Sequence, residues 1–323
     1  MNVTGLRAKP EYLLHHIAPD RNEALFVPSD QSLLRDLSFI DGRASFSKGP
    51  AVTIALDDLI NNSVPPSGAD RYIFHVAFCG STLLARLLDQ PGSALVLKEP
   101  NVLVDLSNWK HSGPDARFAP AVDHALSYLR RPWTAGEPII VKPTNWINNL
   151  LPDIVRCRAQ LHAVFVTMAP EAYIMAVLRG GRDRLAFTAR TAAHLAPSCA
   201  NGKVWLQAAI AATADPIGRT LNLALVALRL QEILFSAETG TRIDASAIFT
   251  DPVEAAIRAS KALALDMDEA TIAATVAARK TINSKAPDRK FSLAEREGEH
   301  SEIERHHGAA IKTALDWSAR TLY

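Results

Sequence analysis

The stretch 71-RYIFHVAFCGSTLLARLLDQPGSALVLKEP-100 divides itself by chemistry. Tyr72 to Ala77 is an apolar run of strand character, and Phe78-Cys79-Gly80-Ser81 is a tight turn. The residues that follow place Leu83, Leu84, Leu87 and Leu88 on one helical face, and Ala94 to Leu97 forms a second short strand ending in Lys98-Glu99-Pro100. Strand, turn, helix and strand make one βαβ unit, whose first turn is where such units hold anions. N–H groups at a helix start point outward and carry partial positive charge, so Phe78, Cys79, Gly80, Ser81, Thr82 and Leu83 form a candidate anion cradle.

Outward from this unit the same alternation continues. Ile139 to Val141 has the β-branched look of a strand buried on both faces and leads into Lys142; Leu161 to Thr167 is another, ending in Met168-Ala169-Pro170. Helical segments over 121–129 and 146–156 separate them, which predicts a parallel sheet with helices on both faces. Ligands bind beyond the C-terminal ends of such strands, so the turn at residue 78, Glu99 and Lys142 fall on one edge. After residue 170 the pattern is mainly helical: 171–178, 205–214, 221–236, a helix opened by Thr250-Asp251-Pro252 and closed by 263–268, then 269–278 and the last twenty residues. A short strand is expected at Arg242 to Asp244 or at Ala247 to Phe249. The tail from Thr281 to Glu297 is polar with little pattern. Residues 1–70 read as a lead-in that packs on the sheet, with a hairpin near Asp41-Gly42 and a helix or strand over 52–60; residues 71–323 read as the α/β domain, and the whole as one domain.

With 323 residues, 48% hydrophobic and 21% charged, the chain has the composition of a folded globular protein. A formal charge of +1 argues against a nucleic-acid partner, and no apolar run of membrane-spanning length or signal-peptide layout occurs, so a cytoplasmic protein without a membrane partner is expected. Cys79, Cys157 and Cys199 are an odd number without paired spacing, which suits reduced thiols. Cys79 reads as a small buried loop residue, since a nucleophile needs a base that the sequence does not name. His300, Glu304 and His307 share a helix face but lack a further ligand, so no metal is expected. His75, inside the first strand, reads as a satisfied buried histidine. Asn145 and Trp146 read as packing residues beside an acceptor pocket. Walker A and G-x-G-x-x-G sequences are absent, which disfavours magnesium–ATP and NAD chemistry.

The order FCGSTLLARLLD, KEP, VKP and TMAP, followed by a helix opened by TDP and closed by ALALDMD, resembles the P-loop sulfotransferase-like family, especially bacterial sulfotransferase family proteins and tyrosylprotein sulfotransferases, over roughly residues 70–290. The resemblance implies a three-layer α/β fold, a central parallel sheet flanked by helices with a mostly helical C-terminal half. It implies 3'-phosphoadenosine-5'-phosphosulfate as donor co-substrate, wrapped at its phosphosulfate by Cys79-Gly80-Ser81-Thr82, and a small-molecule acceptor bearing a hydroxyl. It assigns Glu99 as the base and Lys142 as the residue stabilising charge on the leaving oxygen.

Three positions depart from the family pattern. Phe78 replaces the loop lysine or arginine, leaving Lys142 or Lys98 to supply that charge; Met168 replaces the arginine for the 3'-phosphate; Ala176 replaces the partner serine. Arg179, Arg182 and Arg184 are the cations near enough in sequence to take over the 3'-phosphate. The departures keep two alternatives in view: a non-catalytic nucleotide-binding or interaction protein of the same fold, and a P-loop transferase using another anionic donor.

Overall fold

The structure, a computed structural model, describes residues 3–62, 69–158, 160–279 and 293–323. Its centre is a five-stranded, all-parallel sheet made of β4 (Asp70–His75), β5 (Leu95–Lys98), β6 (Ile139–Lys142), β7 (Leu161–Thr167) and β8 (Thr241–Asp244), in the order β5-β6-β4-β7-β8. All four residues of β5 and of β6 are buried, which is why these strands read as continuous apolar runs. Chain direction across the sheet reverses about β4: β5 and β6 lie on one side, β7 and β8 on the other. This is the predicted α/β architecture, and its switch point puts the ends of β4 and β6 side by side.

The helix Ser81–Leu88 follows β4 after a five-residue turn and buries Leu84, Leu87 and Leu88. Farther along, the helices Pro170–Arg179, Gly181–Leu195 and Pro216–Ser236 surround a second apolar cluster containing Ile174, Leu195, Leu225 and Leu230, against which the C-terminal helix Leu293–Thr321 packs through Ile311 and Ala314. The C-terminal half is thus mostly helical, as expected. Asp251 caps the helix Pro252–Ala262 by accepting the Glu254 N–H, with proline in the first turn.

Residues before β4 form an antiparallel sheet of β1 (Tyr12–Ala18), β2 (Glu23–Pro28) and β3 (Val52–Ala55). The hairpin expected at Asp41-Gly42 is instead at Pro19–Asn22, where a single 3-10 turn ends on Asn22 in the left-handed region. The stretch 52–60 is both of its alternatives, β3 followed by the helix Leu56–Asn61. Leu13, Phe26, Leu34 and Ile40 share one core with the parallel sheet. The buried Arg131 guanidinium binds this segment by donating to the carbonyls of Leu6 (2.6 Å) and Tyr12 (2.8 Å).

Two further boundaries differ from the expectation, and one alternative is resolved. A helix at Asn101–Ser112 stands where no element is expected; its apolar stripe is narrow, with Asp105 between the buried positions and Asn108 and Lys110 after them. Residues 263–268 do not close the preceding helix, which ends at Ala262, and Ala264 turns the chain at φ +48°. Of the two possible fifth strands, Thr241–Asp244 is the strand, and Ala247 to Phe249 belong to the helix Ala245–Thr250. Most of the polar tail from Thr281 lies outside the described residues; from Leu293 it is helical.

Candidate functional site

A cleft of about 590 Å³ opens at the C-terminal edge of the parallel sheet. Ala77 and Phe78 enter it from the end of β4, Glu99 from β5, and Thr144, Asn145 and Trp146 from β6. The N-terminal segment adds Phe39, Asp41 and Arg43, while Arg184 and Phe187 come from the helix Gly181–Leu195. The sequence singles out the strand ends because strand register is local. Phe39, Asp41 and Arg43 carry no such signal, since tertiary folding alone brings them to the edge.

Glu99 borders the cleft and is met from behind by Lys142, which is buried and does not itself line it. Lys142 Nζ donates to Glu99 Oε1 at 2.5 Å, and Arg43 reaches Glu99 Oε2 at 3.3 Å. Arg43 is itself held by Asp41 at 2.6 Å and lies over the Phe39 ring, 3.8 Å from its centroid. Lys142 is buried, whereas the Arg43 side chain is 58% exposed, so the Arg43 contact is the one an entering group can open. Glu99 adopts φ +60° and Phe78 φ +64°. Non-glycine residues rarely occupy the left-handed region, and two of the four in the described chain line this one cleft.

The loop after β4 is shaped from behind. Gly80 has φ +83°, and a Cβ there would lie 2.8 Å from Phe249 Cζ, so the position requires glycine both for its dihedral and for the aromatic edge packed on it. The Leu83 and Leu84 N–H groups both donate to the Gly80 carbonyl, at 2.9 and 3.2 Å, so Leu83 N–H is already engaged. Cys79 is buried and Ser81 and Thr82 nearly so; of the proposed cradle residues, Phe78 is the one that borders the cleft. None of the three cysteines is in a disulfide.

The arginines separate sharply. Arg184 lines the cleft, donates to the Ala176 carbonyl at 2.8 Å and lies over Phe78, 4.7 Å from the ring centroid. Arg179 is turned to Glu299 of the C-terminal helix at 3.8 Å, and Arg182 is exposed; neither borders the cleft. Met168 and Ala176 are buried in the core. Lys98, the second cation considered for the loop, is not in the cleft: its Nζ is held by Asp89 at 2.6 Å and by the Arg35 carbonyl at 3.1 Å. Burial pushes the Lys98 ammonium below its usual range, with Asp89 opposing.

The floor and back wall are polar but internally satisfied in large part. The His75 ring nitrogens lie 2.8 Å from the Val76 carbonyl oxygen and 2.9 Å from that of Pro143, tying the end of β4 to the end of β6. Asn145 and Asn148 both donate to Gln231 Oε1, at 3.3 and 3.0 Å. Trp146 stacks on His194 at 4.1 Å, and His194 Nε2 is 2.7 Å from the Ser107 hydroxyl. Burial, and secondarily His111, pushes His194 down to about 4. Among the described residues no group of three His, Cys, Asp or Glu side chains is placed to hold a metal, and no helix is long and apolar enough to cross a membrane.

No family model and no curated protein matches the chain. Among solved structures it is similar to the "Sulfotransferase Domain from the Curacin Biosynthetic Pathway", at 13% identity and a TM-score of 0.40, over 74% of this chain and 99% of that one.

Proposed function

We propose that this cleft transfers a sulfuryl group from 3'-phosphoadenosine-5'-phosphosulfate to a hydroxyl of a small-molecule acceptor. The observation that carries the reading is the meeting of Glu99 and Lys142, from separate strand ends, at 2.5 Å beside the loop. The volume of about 590 Å³ suits a nucleotide-sized ligand. Beside the loop Arg184 supplies charge for an anion, whereas Ser81 and Thr82, at the helix start, are buried and do not border the cleft. Met168 and Ala176 offer the 3'-phosphate nothing, because both side chains are apolar and buried.

The donor supplies the electrophilic sulfur and a phosphate leaving group. Glu99 Oε2, once Arg43 has swung aside, is the oxygen open to an acceptor hydroxyl and takes its proton. Lys142 holds Glu99 in place through Oε1 and supplies the positive charge next to the reacting atoms. Buried positioning and fixed charge are what this class of transfer demands of a protein.

Calorimetry with 3',5'-adenosine bisphosphate tests the reading. Binding that Lys142→Ala weakens is expected; no detectable heat at millimolar nucleotide overturns it. A panel of other nucleoside phosphates separates a different anionic donor. A non-catalytic binding protein of the same fold is favoured by one observation, that both Glu99 oxygens are already taken by cations. Product formation with labelled donor across a panel of alcohols and phenols would exclude it.

A further inference from the structure

We infer that Arg184, stacked on Phe78, is the cation that holds the anionic end of the ligand in this cleft, a sulfate or phosphate ester. The inference deepens the reading above and concerns the same cleft.

Its basis is an inventory of charge. Lys142 is neutralised by Glu99, and Arg43 by Asp41 and Glu99. Arg184 makes no salt bridge among the described residues: it gives one N–H to the Ala176 carbonyl, which leaves most of its five donors for another acceptor. Asp183 also borders the cleft, but residues adjacent along a helix project in different directions. Burial, reinforced by the nearby Arg179, pushes the Arg184 guanidinium below its usual range, while Glu299 partly offsets this. A half-buried cation without a salt-bridge partner gains from an incoming anion.

The surroundings fix this cation in position. Its stem crosses Gly180 so closely that a Cβ there would lie 1.8 Å from Arg184 Cδ. The guanidinium rests over the Phe78 ring at 4.7 Å, and the ring is presented by a left-handed backbone at φ +64°. Phe78 therefore acts as a platform for a charge that arrives from a helix over one hundred residues later in the chain. Planar, multidentate donors of this kind suit sulfate and phosphate oxygens.

The test is calorimetry of the wild-type chain, Arg184→Gln, Arg184→Lys and Gly180→Ala, each with 3',5'-adenosine bisphosphate and with sodium sulfate. Loss of one charge-assisted contact predicts about tenfold weaker binding of both ligands in Arg184→Gln, with partial recovery in Arg184→Lys. Gly180→Ala, which displaces the stem and keeps the charge, is expected to weaken both severalfold; it decides the matter if Arg184→Gln does not fold. Nucleotide affinity within twofold of wild type in Arg184→Gln and Gly180→Ala overturns the inference and leaves the transfer reading standing. Sulfate binding that needs Arg184, with no nucleotide binding by the wild type, supports the inference and removes the adenosine donor. Absence of both from the wild type overturns both.

Discussion

Lys98 and Lys142 lie opposite each other in the β5–β6 register, are 0% and 1% exposed, and are each neutralised by one carboxylate. Asp89, the partner of Lys98, is 3% exposed and also accepts from Arg35 at 2.5 Å and from the Val96 N–H at 3.1 Å. Both oxygens of that carboxylate are taken by donors that are themselves largely buried. Glu99, the partner of Lys142, is 12% exposed, sits on a left-handed backbone and gives its second oxygen to a surface arginine. The same ion-pair chemistry is thus closed on itself in one place and left with an opening in the other. Buried pairs are costly to break in either setting, but only the open one can exchange a partner for a substrate.

The largest effect should come from breaking the closed pair. Asp89→Ala strands Lys98, leaves Arg35 with Glu137 as its one remaining carboxylate and removes the Val96 acceptor, and denaturant unfolding should show a loss of about 3–5 kcal/mol. Nucleotide affinity of the remaining folded protein should be unchanged; a selective loss of binding would merge the two sites and end the distinction. On the open side, Glu99→Gln keeps an oxygen for Lys142 but removes the proton acceptor. A transfer assay should fall about 100-fold, with a stability loss smaller than that of Asp89→Ala. A variant that retains most of its turnover would show that Glu99 is structural after all.

A smaller, pH-dependent effect sharpens the contrast on the cleft side. His194, pushed down to about 4 by burial and then His111, and His15, pushed down to about 4 by burial and then His16, both favour the neutral ring in the folded state. The stability they contribute is present above pH 6.5, their ordinary value, and is lost as the pH falls towards about 4. Trp146, stacked on His194, should report this in its fluorescence, and His194→Gln should flatten the acid slope. An unaltered slope would mean that the stacked pair does not register the titration.

The sheet and its active edge are legible in the sequence because they are made of local signals: apolar runs bounded by Gly, Pro and charge, with Glu99 and Lys142 placed just beyond them. The Asn101–Ser112 helix is not, since its buried positions are interrupted and followed by polar ones that bind β1 and the segment after β6: Asp105 accepts from the Ile17 N–H at 3.0 Å, and Lys110 donates to the Asn149 carbonyl at 2.7 Å. The hairpin is misplaced because Asp41-Gly42 has the stronger turn dipeptide, whereas Asn22 carries the turn through a left-handed residue with glycine nowhere near. Phe39 and Arg43 lie some sixty residues from Glu99 in sequence, and no spacing rule links them. Arg184 is visible only as one arginine of four around Gly180-Gly181; its choice over Arg179 and Arg182 is made by helix phase and by the groove that Gly180 leaves.

Asp41, Arg43, Glu99 and Lys142 follow one another with alternating sign at contacts of 2.6, 3.3 and 2.5 Å. Opposed charges so close together cancel at a distance, and what survives is screened within about 8 Å at physiological ionic strength. This row cannot pull an anion in from solution. Any salt dependence of association should therefore come from Arg184 and not from this row, while the lifetime of the bound state depends on contacts made inside the cleft. A ligand meets this row's charges only after it has already arrived.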